Sequence, residues 1–217
     1  MPVKAFELAK TRLRPALTAD QCSALAQNMA ADVIDALHES RRLQGISLLG
    51  DESGVAEFAR KLNCEFLAED PNADLSANLD AAAAKLQSDG VANLLVVPGD
   101  LPMLRGQHVD GLLACHTDGL SICEAGRDGG TNALVISPPT AIDFRFGRNS
   151  ARRHMEAAGA AGLRCHESTE HAFDRDIDTP EDLLWFCRKA SPGRTTDYLT
   201  RSGICEILLG AGAAAIA

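Results

Sequence analysis

Asn93-Leu94-Leu95-Val96-Val97-Pro98-Gly99-Asp100-Leu101-Pro102 is the stretch on which the fold turns. Its first five residues are nearly all apolar, the pattern of a central strand buried on both faces. Pro98, Gly99 and Pro102 stop the strand, since proline cannot donate to a ladder and glycine admits a tight turn. A carboxylate, Asp100, is thereby fixed just past the carboxyl end of the strand, where open α/β sheets gather their ligands.

Outward from this strand, short β-type runs recur at Ile46–Leu49, Cys64–Leu67, Leu120–Cys123 and Asn132–Ile136, with Pro2–Lys4 as an opening strand. Helical patterns lie between them. Thr18 and Gln21 form a capping box ahead of a helix running to about His38. Further helices are expected over 53–62, 75–88, 107–115, Asn149–Ala161 and Pro180–Lys189, the last with Thr179 as N-cap and proline at its first position. Strands separated by helices predict an α/β class: a three-layer α/β/α arrangement around a mostly parallel central sheet, Rossmann-like, in one domain over 1–217. Residues 124–131 read as a polar, glycine-rich interruption and 138–148 as a loop.

Composition narrows the function. The 217 residues are 46% hydrophobic but only 4% aromatic, so aliphatic side chains must fill the core. Twenty-one basic against 30 acidic residues leave a net charge of −9, which repels nucleic-acid backbones and anionic membranes. A small anionic substrate remains admissible, because a divalent cation inverts the local field. Seven cysteines with no Cys-x-x-Cys spacing read as reduced thiols of a soluble, cytoplasmic protein. The N-terminus shows no signal-peptide pattern, and no apolar run reaches the roughly 18 residues that span a bilayer. The short tail Cys205–Ala217 is a candidate face for a homodimer.

Five segments carry polar chemistry. Asp100 on its tight turn suits magnesium, a hard cation that prefers oxygen ligands; capping of the following turn is the plainer alternative. In Phe173-Asp174-Arg175-Asp176-Ile177-Asp178-Thr179-Pro180, an extended backbone puts Asp176 and Asp178 on one face with Asp174 joining them, and carboxylates so crowded call for a cation; the plainer alternative has Asp178 capping the helix at Pro180 and Asp176 on the surface. The loop after Pro2–Lys4 offers Lys4, Lys10 and Arg12 to a polyphosphate, or simply to solvent. Gly126–Leu134 combines backbone that a ligand can approach with Thr131 and Asn132. Phe144-Arg145-Phe146-Gly147-Arg148-Asn149-Ser150 runs into a helix start, where N–H groups, Arg148 and Ser150 make an anion site. For the last two, ordinary turn chemistry is the alternative. The six histidines show no metal-ligand spacing and read as structural or exposed. No Gly-x-Ser-x-Gly elbow or dinucleotide fingerprint occurs.

In order along the chain, Val3-Lys4, Ala9-Lys10-x-Arg12-Leu13, Val96–Pro102, Gly130-Thr131-Asn132-Ala133-Leu134, Phe146-Gly147-x-x-Ser150 and Asp176-Ile177-Asp178-Thr179-Pro180-Glu181-Asp182-Leu183 resemble the 2-phospho-L-lactate guanylyltransferases over about the first 185 residues. The resemblance implies a nucleotide-diphospho-sugar transferase-like fold. It also implies guanylyl transfer from GTP to a phosphorylated three-carbon acid (2-phospholactate, phosphoenolpyruvate or 3-phosphoglycerate), on the route to coenzyme F-420. By motif match, Asp100, Asp176 and Asp178 would hold magnesium, and Lys10 and Arg12 would face the GTP phosphates. Thr131 or Asn132, Gly147 and Ser150 would bind the acid. One position departs: Ser76 stands where many relatives carry an asparagine that contacts the nucleotide, and Asn78 is displaced by two.

Rival readings keep part of this picture. A molybdopterin guanylyl- or cytidylyltransferase shares the fold but usually has a glycine-rich first loop, absent from Lys4–Leu13. A glycosyltransferase would use the acidic pair for metal and release a nucleoside diphosphate, and a nucleotide sensor would bind without turnover. A labile product would favour hand-over to a downstream transferase.

Overall fold

The computed structural model describes residues 1–52, 54–189 and 191–214. The tail expectation for Cys205–Ala217 therefore falls partly outside the described residues, and the helix expected from residue 53 is described from 54.

Helices and strands alternate as α1 (Ala19–Glu39), β1 (Ser47–Gly50), α2 (Val55–Lys61), β2 (Glu65–Ala68), α3 (Leu75–Ser88), β3 (Leu94–Val96), α4 (Gly106–Cys115), β4 (Gly119–Glu124), β5 (Thr131–Ser137), α5 (Ser150–Ala160), β6 (Cys165–Glu167), α6 (Pro180–Lys189), α7 (Arg194–Arg201) and α8 (Ile204–Ala214). The capping box forms as expected: Thr18 Oγ1 accepts from Gln21 N at 3.2 Å while Gln21 Oε1 accepts from Thr18 N at 2.9 Å. Pro2–Lys4 contributes only one bridge, parallel to Leu49, rather than a strand.

The sheet is mixed, which corrects the mostly parallel expectation. β1 and β2 pair in parallel, but β5 lies antiparallel between β3 and β4, and β6 joins β4 in parallel to give the order β3-β5-β4-β6. The cause is the short connection 125–130: a parallel crossover needs about a dozen residues or more, so β4 and β5 can only form a hairpin. A groove of about 610 Å³ takes in residues of both β1 and β3, polar and apolar alike, among them Ser47, Leu49, Leu94 and Val96.

Both faces of β5 are covered by helices. Leu134 and Ile136 of β5 pack with Leu79 and Ala83 of α3 and Ala151 and Ala158 of α5. The alternate residues Ala133 and Val135 pack with Val33 and Leu37 of α1 and Val109 and Leu112 of α4. This two-residue alternation is what a strand buried on both sides requires. α6, α7 and α8 close a separate cluster on α1 through Phe186, Leu199 and Ile204. There Cys187 and Cys205 form a disulfide, correcting the expectation of reduced thiols at these two positions. Packing of α6 on α8 brings their Cα atoms to 5.5 Å, inside the bonding range. Among the described residues, no helix is long and apolar enough to cross a membrane.

Candidate active site

The carboxyl end of β3 runs through Val97 and Pro98 into the turn that carries Asp100. A second segment is laid beside that turn by one backbone bond, from Ile177 N to Asp100 O at 3.1 Å. Ile177 is fully buried in the cluster with Leu13, Leu183 and Phe186, so its neighbours Asp176 and Asp178 must point the other way. One carboxylate oxygen from each of Asp100, Asp176 and Asp178 then lies within 4.8 Å of the others. Asp174 does not join them: its carboxylate turns away to His171 Nδ1 at 2.8 Å, because a 3-10 turn at His171–Phe173 ends at that residue.

Lys10 compensates the crowded charge. It sits in the left-handed region at φ +53°, a conformation that aims its nearly buried side chain back toward the cluster. Its Nζ donates to Asp100 Oδ2 at 2.7 Å and to Asp178 Oδ1 at 2.6 Å. Arg12, largely exposed, approaches Asp178 Oδ2 at 3.5 Å. Burial works against the Lys10 ammonium, but Asp100 and Asp178 outweigh it and raise its pKa. Burial likewise opposes ionisation of Asp178, yet Lys10, Arg12 and Arg127 hold its carboxyl below the usual range. Asp176 has no such partner; burial first, then Asp100 and Asp178, push its pKa up. A buried Oδ1 of Asp100 has no hydrogen-bond partner among the described residues. An orphaned carboxylate oxygen beside an under-compensated one is a donor set that fits a divalent cation.

Asp182, unremarked as a functional residue from sequence, organises the loop that carries the acidic pair. Its fully buried carboxylate accepts from Asp178 N at 3.2 Å, Thr179 N at 2.9 Å and Thr179 Oγ1 at 2.8 Å, and pairs closely with Arg127. Thr179 Oγ1 in turn accepts from Asp182 N at 3.4 Å, a reciprocal cap at the start of α6. Burial disfavours the Asp182 charge, but these donors outweigh it and lower the pKa. Asp182→Ala is therefore expected to cost about 2–3 kcal/mol near neutral pH, read by urea denaturation. Since the folded pKa lies below the unfolded one, this contribution is complete above the ordinary carboxylate value and fades as pH falls through the lowered one. In the alanine variant the acid limb of the stability profile should flatten.

Arg127 also anchors the hairpin loop. Gly126 N donates to Asp174 O at 3.0 Å on one side of that loop, while Asn149 N and Ala151 N donate to Asp128 O and Gly129 O, both at 3.1 Å, on the other. The loop thus joins the acidic segment to the start of α5. The helix start is not the open anion site expected from sequence: the N–H groups of Asn149, Ser150 and Ala151 are taken by Asp128 O, Gly147 O and Gly129 O. What remains for an anion there is side chains. Thr131 Oγ1 and Ser150 Oγ lie 2.8 Å apart, and Thr131 Oγ1 is 3.2 Å from Nδ1 of the buried His154. Gly147 adopts φ +114°, which a side chain would strain, and its loop is clasped by Arg153, whose guanidinium donates to Phe146 O at 3.2 Å and Arg148 O at 3.1 Å.

The structure thus brings Lys10, Arg12, Asp100, Asp176 and Asp178 into one group, and Thr131, Ser150 and the Gly147 loop into a second. Asn132 spends its amide on Phe173 O at 2.7 Å, pinning the turn before Asp174. Lys4 and Arg148 have exposed side chains that make no hydrogen bond or ion pair among the described residues. Ser76 Oγ accepts from Phe146 N at 3.0 Å, and Asn78 is occupied with Asp70 and Ala73. Arg127, Arg153 and His154 carry no signal in the sequence; only the spatial arrangement distinguishes them from the other arginines and histidines.

The chain is similar to known proteins over most of its length. The chain is 33% identical over 209 residues to a phosphoenolpyruvate guanylyltransferase of Roseiflexus castenholzii, covering 94% of this chain and 95% of that one. It is 30% identical over 196 residues to a 3-phospho-D-glycerate guanylyltransferase of Phenylobacterium zucineum, covering 88% and 90%. A solved structure from Desulfovibrio desulfuricans G20, described as a nucleotide-diphospho-sugar transferase, superposes with a TM-score of 0.78 over 95% of each chain at 21% identity, a likeness of fold. A family model for guanylyl transferases, described as CofC like, matches residues 1–207, and the chain belongs to this family of nucleotidyltransferases.

Proposed function

We propose that this chain, acting as one domain over 1–217 in the cytoplasm, transfers GMP from GTP to a phosphorylated three-carbon acid and releases pyrophosphate, a step toward coenzyme F-420. The observation that carries the reading is the convergence of Asp100, Asp176 and Asp178 around Lys10 and Arg12. Magnesium bound by the three aspartates would neutralise the facing phosphates of the two substrates.

The chain's own residues do the rest. Lys10 and Arg12 stand beside the acidic group as cations for the polyphosphate, and stabilise the charge that gathers on departing pyrophosphate. The acceptor needs no protein base, since a phosphate monoester with a second pKa of about 6 is already largely a dianion near neutral pH. One of its oxygens attacks the α-phosphorus, the new P–O bond forms, and the bond to the β-phosphate oxygen breaks. Thr131, Ser150 and the Gly147 loop, with the free cation Arg148 next to Gly147 in sequence, are assigned to the anionic acid, and Lys4 near the head of the chain is assigned to substrate phosphate. Asn78 is committed to Asp70 and Ala73, while Ser76, which accepts from Phe146 N, keeps a hydroxyl proton.

The test is a panel of 2-phospholactate, phosphoenolpyruvate and 3-phosphoglycerate against GTP, ATP and CTP, read by pyrophosphate release. GTP with one of the three acids is expected to dominate by at least about tenfold. No pyrophosphate from GTP, with GDP released only when a GDP-sugar replaces GTP, would point to a glycosyltransferase, and binding of GTP without turnover would point to a sensor.

A further inference from the structure

His154 is buried at the foot of the second group and touches no residue of the acidic cluster. The backbone N–H of Arg145 can only donate, and it points at Nε2 from 2.8 Å. Nε2 must therefore be bare. The ring is neutral: burial first, then Arg153 and Arg145, push its pKa down to about 4. A neutral ring with a bare Nε2 carries its proton on Nδ1, which donates to Thr131 Oγ1 at 3.2 Å.

The hydrogen count has a consequence for the hydroxyls. The imidazole N–H, the Thr131 hydroxyl and the Ser150 hydroxyl supply three protons, but only two contacts join these groups, His154 to Thr131 and Thr131 to Ser150. One hydroxyl proton is left over. With the other tautomer, Nδ1 would accept from Thr131, Thr131 would accept from Ser150, and no proton would remain. The pair would then offer a lone pair, which repels an anion. Ser150 is fully buried while Thr131 retains slight exposure, so the surplus proton belongs to Thr131, with Ser150 donating to it.

We infer that His154 is a positioning residue which, held in one tautomer by the Arg145 backbone, obliges Thr131 to present a hydroxyl proton to the anionic acid substrate. The N–H groups of Asn149, Ser150 and Ala151 at the start of α5 are already used, so this hydroxyl is a donor in their place. The inference rests on the acid-binding role assigned above, and two measurements separate the two.

The first is the ring-nitrogen chemical shifts of protein labelled with nitrogen-15 histidine. His154 is expected as a neutral ring protonated at Nδ1 near neutral pH. A proton on Nε2, or a charged ring, overturns the inference whatever the substrate is.

The second is a double-mutant cycle on the KM of the acid that the panel identifies, with Thr131→Val as the other arm. His154→Leu is expected to raise that KM about tenfold, to leave the KM for GTP unchanged, and to add little in the Thr131→Val background. His154→Asn, whose amide nitrogen takes the place of Nδ1, should recover most of the loss. Should His154→Leu fail to fold, His154→Gln replaces it, keeping the acceptor for Arg145 while withdrawing the donor to Thr131. An equal rise in both backgrounds would show a purely structural histidine and refute the inference. If no acid is turned over while the Nδ1 tautomer is observed, the functional reading fails and the hydrogen count stands.

Discussion

Asp100→Asn is expected to lower pyrophosphate release by roughly a thousandfold or more while leaving the protein folded. The substitution keeps the size of the side chain and an oxygen for Lys10 Nζ, now 2.7 Å away, but removes the charge. Asp100 also supplies the buried Oδ1 that no other described group satisfies. An amide nitrogen placed there would be a poor ligand for a hard cation. Stability should not fall with activity. Asp176 is pushed toward its neutral form by burial and by the charges of Asp100 and Asp178, so removing one of those charges relieves part of that repulsion. A melting curve equal to or slightly above that of the parent, beside lost turnover, is the expected pair of results. Turnover within a few-fold of the parent would remove Asp100 from the chemistry.

Lys10→Ala is the second large effect, and it should act on stability and rate together. Lys10 donates to two carboxylates at 2.6 and 2.7 Å with its side chain only 9% exposed. Its loss leaves three half-buried acids facing one another with Arg12, 71% exposed and 3.5 Å off, as the nearest cation. A cost of about 2–3 kcal/mol at neutral pH follows, somewhat below the range for a fully buried pair because the aspartates keep contact with water. Magnesium binds only the folded arrangement, so millimolar magnesium should restore much of the lost stability. Turnover should remain about a hundredfold down even then, because the cation for the polyphosphate is absent. A variant equally unstable with and without magnesium would argue that the acids do not form a cation site.

Much of this was legible along the chain, for reasons that can be named. Asn93–Val97 announces itself as a strand by its apolar run, but not as the central parallel one expected: β3 ends the strand order of its sheet, pairs antiparallel with β5, and leaves Leu94 and Leu95 only partly buried. The Asp176-Ile177-Asp178 alternation is readable because two-residue periodicity assigns faces without knowledge of the rest of the fold, and Thr179-Pro180 fixes where it must end. The mixed sheet was missed although its signal was present: residues 125–130 are too few for a crossover, and length alone decides between hairpin and parallel return. β6 left no trace, since Cys165, His166 and Glu167 are all exposed and carry no apolar pattern. The disulfide could not be read from spacing, because Cys187 and Cys205 meet only through the packing of α6 on α8.

The candidate site divides the same way. Asp100, Asp176, Asp178, Lys10 and Arg12 could be singled out by residue type and position at element ends, and the fold brings them together. Asn132 could not be separated from Thr131 by sequence; in space its amide is consumed by Phe173 O and the Thr131 hydroxyl is not. Asp182 looks like an ordinary first-turn acid of a helix. Its four hydrogen-bond donors come from Asp178, Thr179 and a hairpin loop more than fifty positions away in the chain, from which Arg127 reaches across. His154 is one buried histidine among six until the donor at one nitrogen fixes what the other nitrogen must do.

The proposed chemistry depends on a divalent ion shared by carboxylates from two distant segments. The direct measurement is a crystal of the protein grown with a non-hydrolysable GTP analogue and manganese, examined by anomalous scattering. A manganese peak in contact with oxygens of Asp100 and of Asp176 or Asp178, with Lys10 turned toward the phosphates, is the predicted result. A bound nucleotide whose metal touches none of these carboxylates would contradict it.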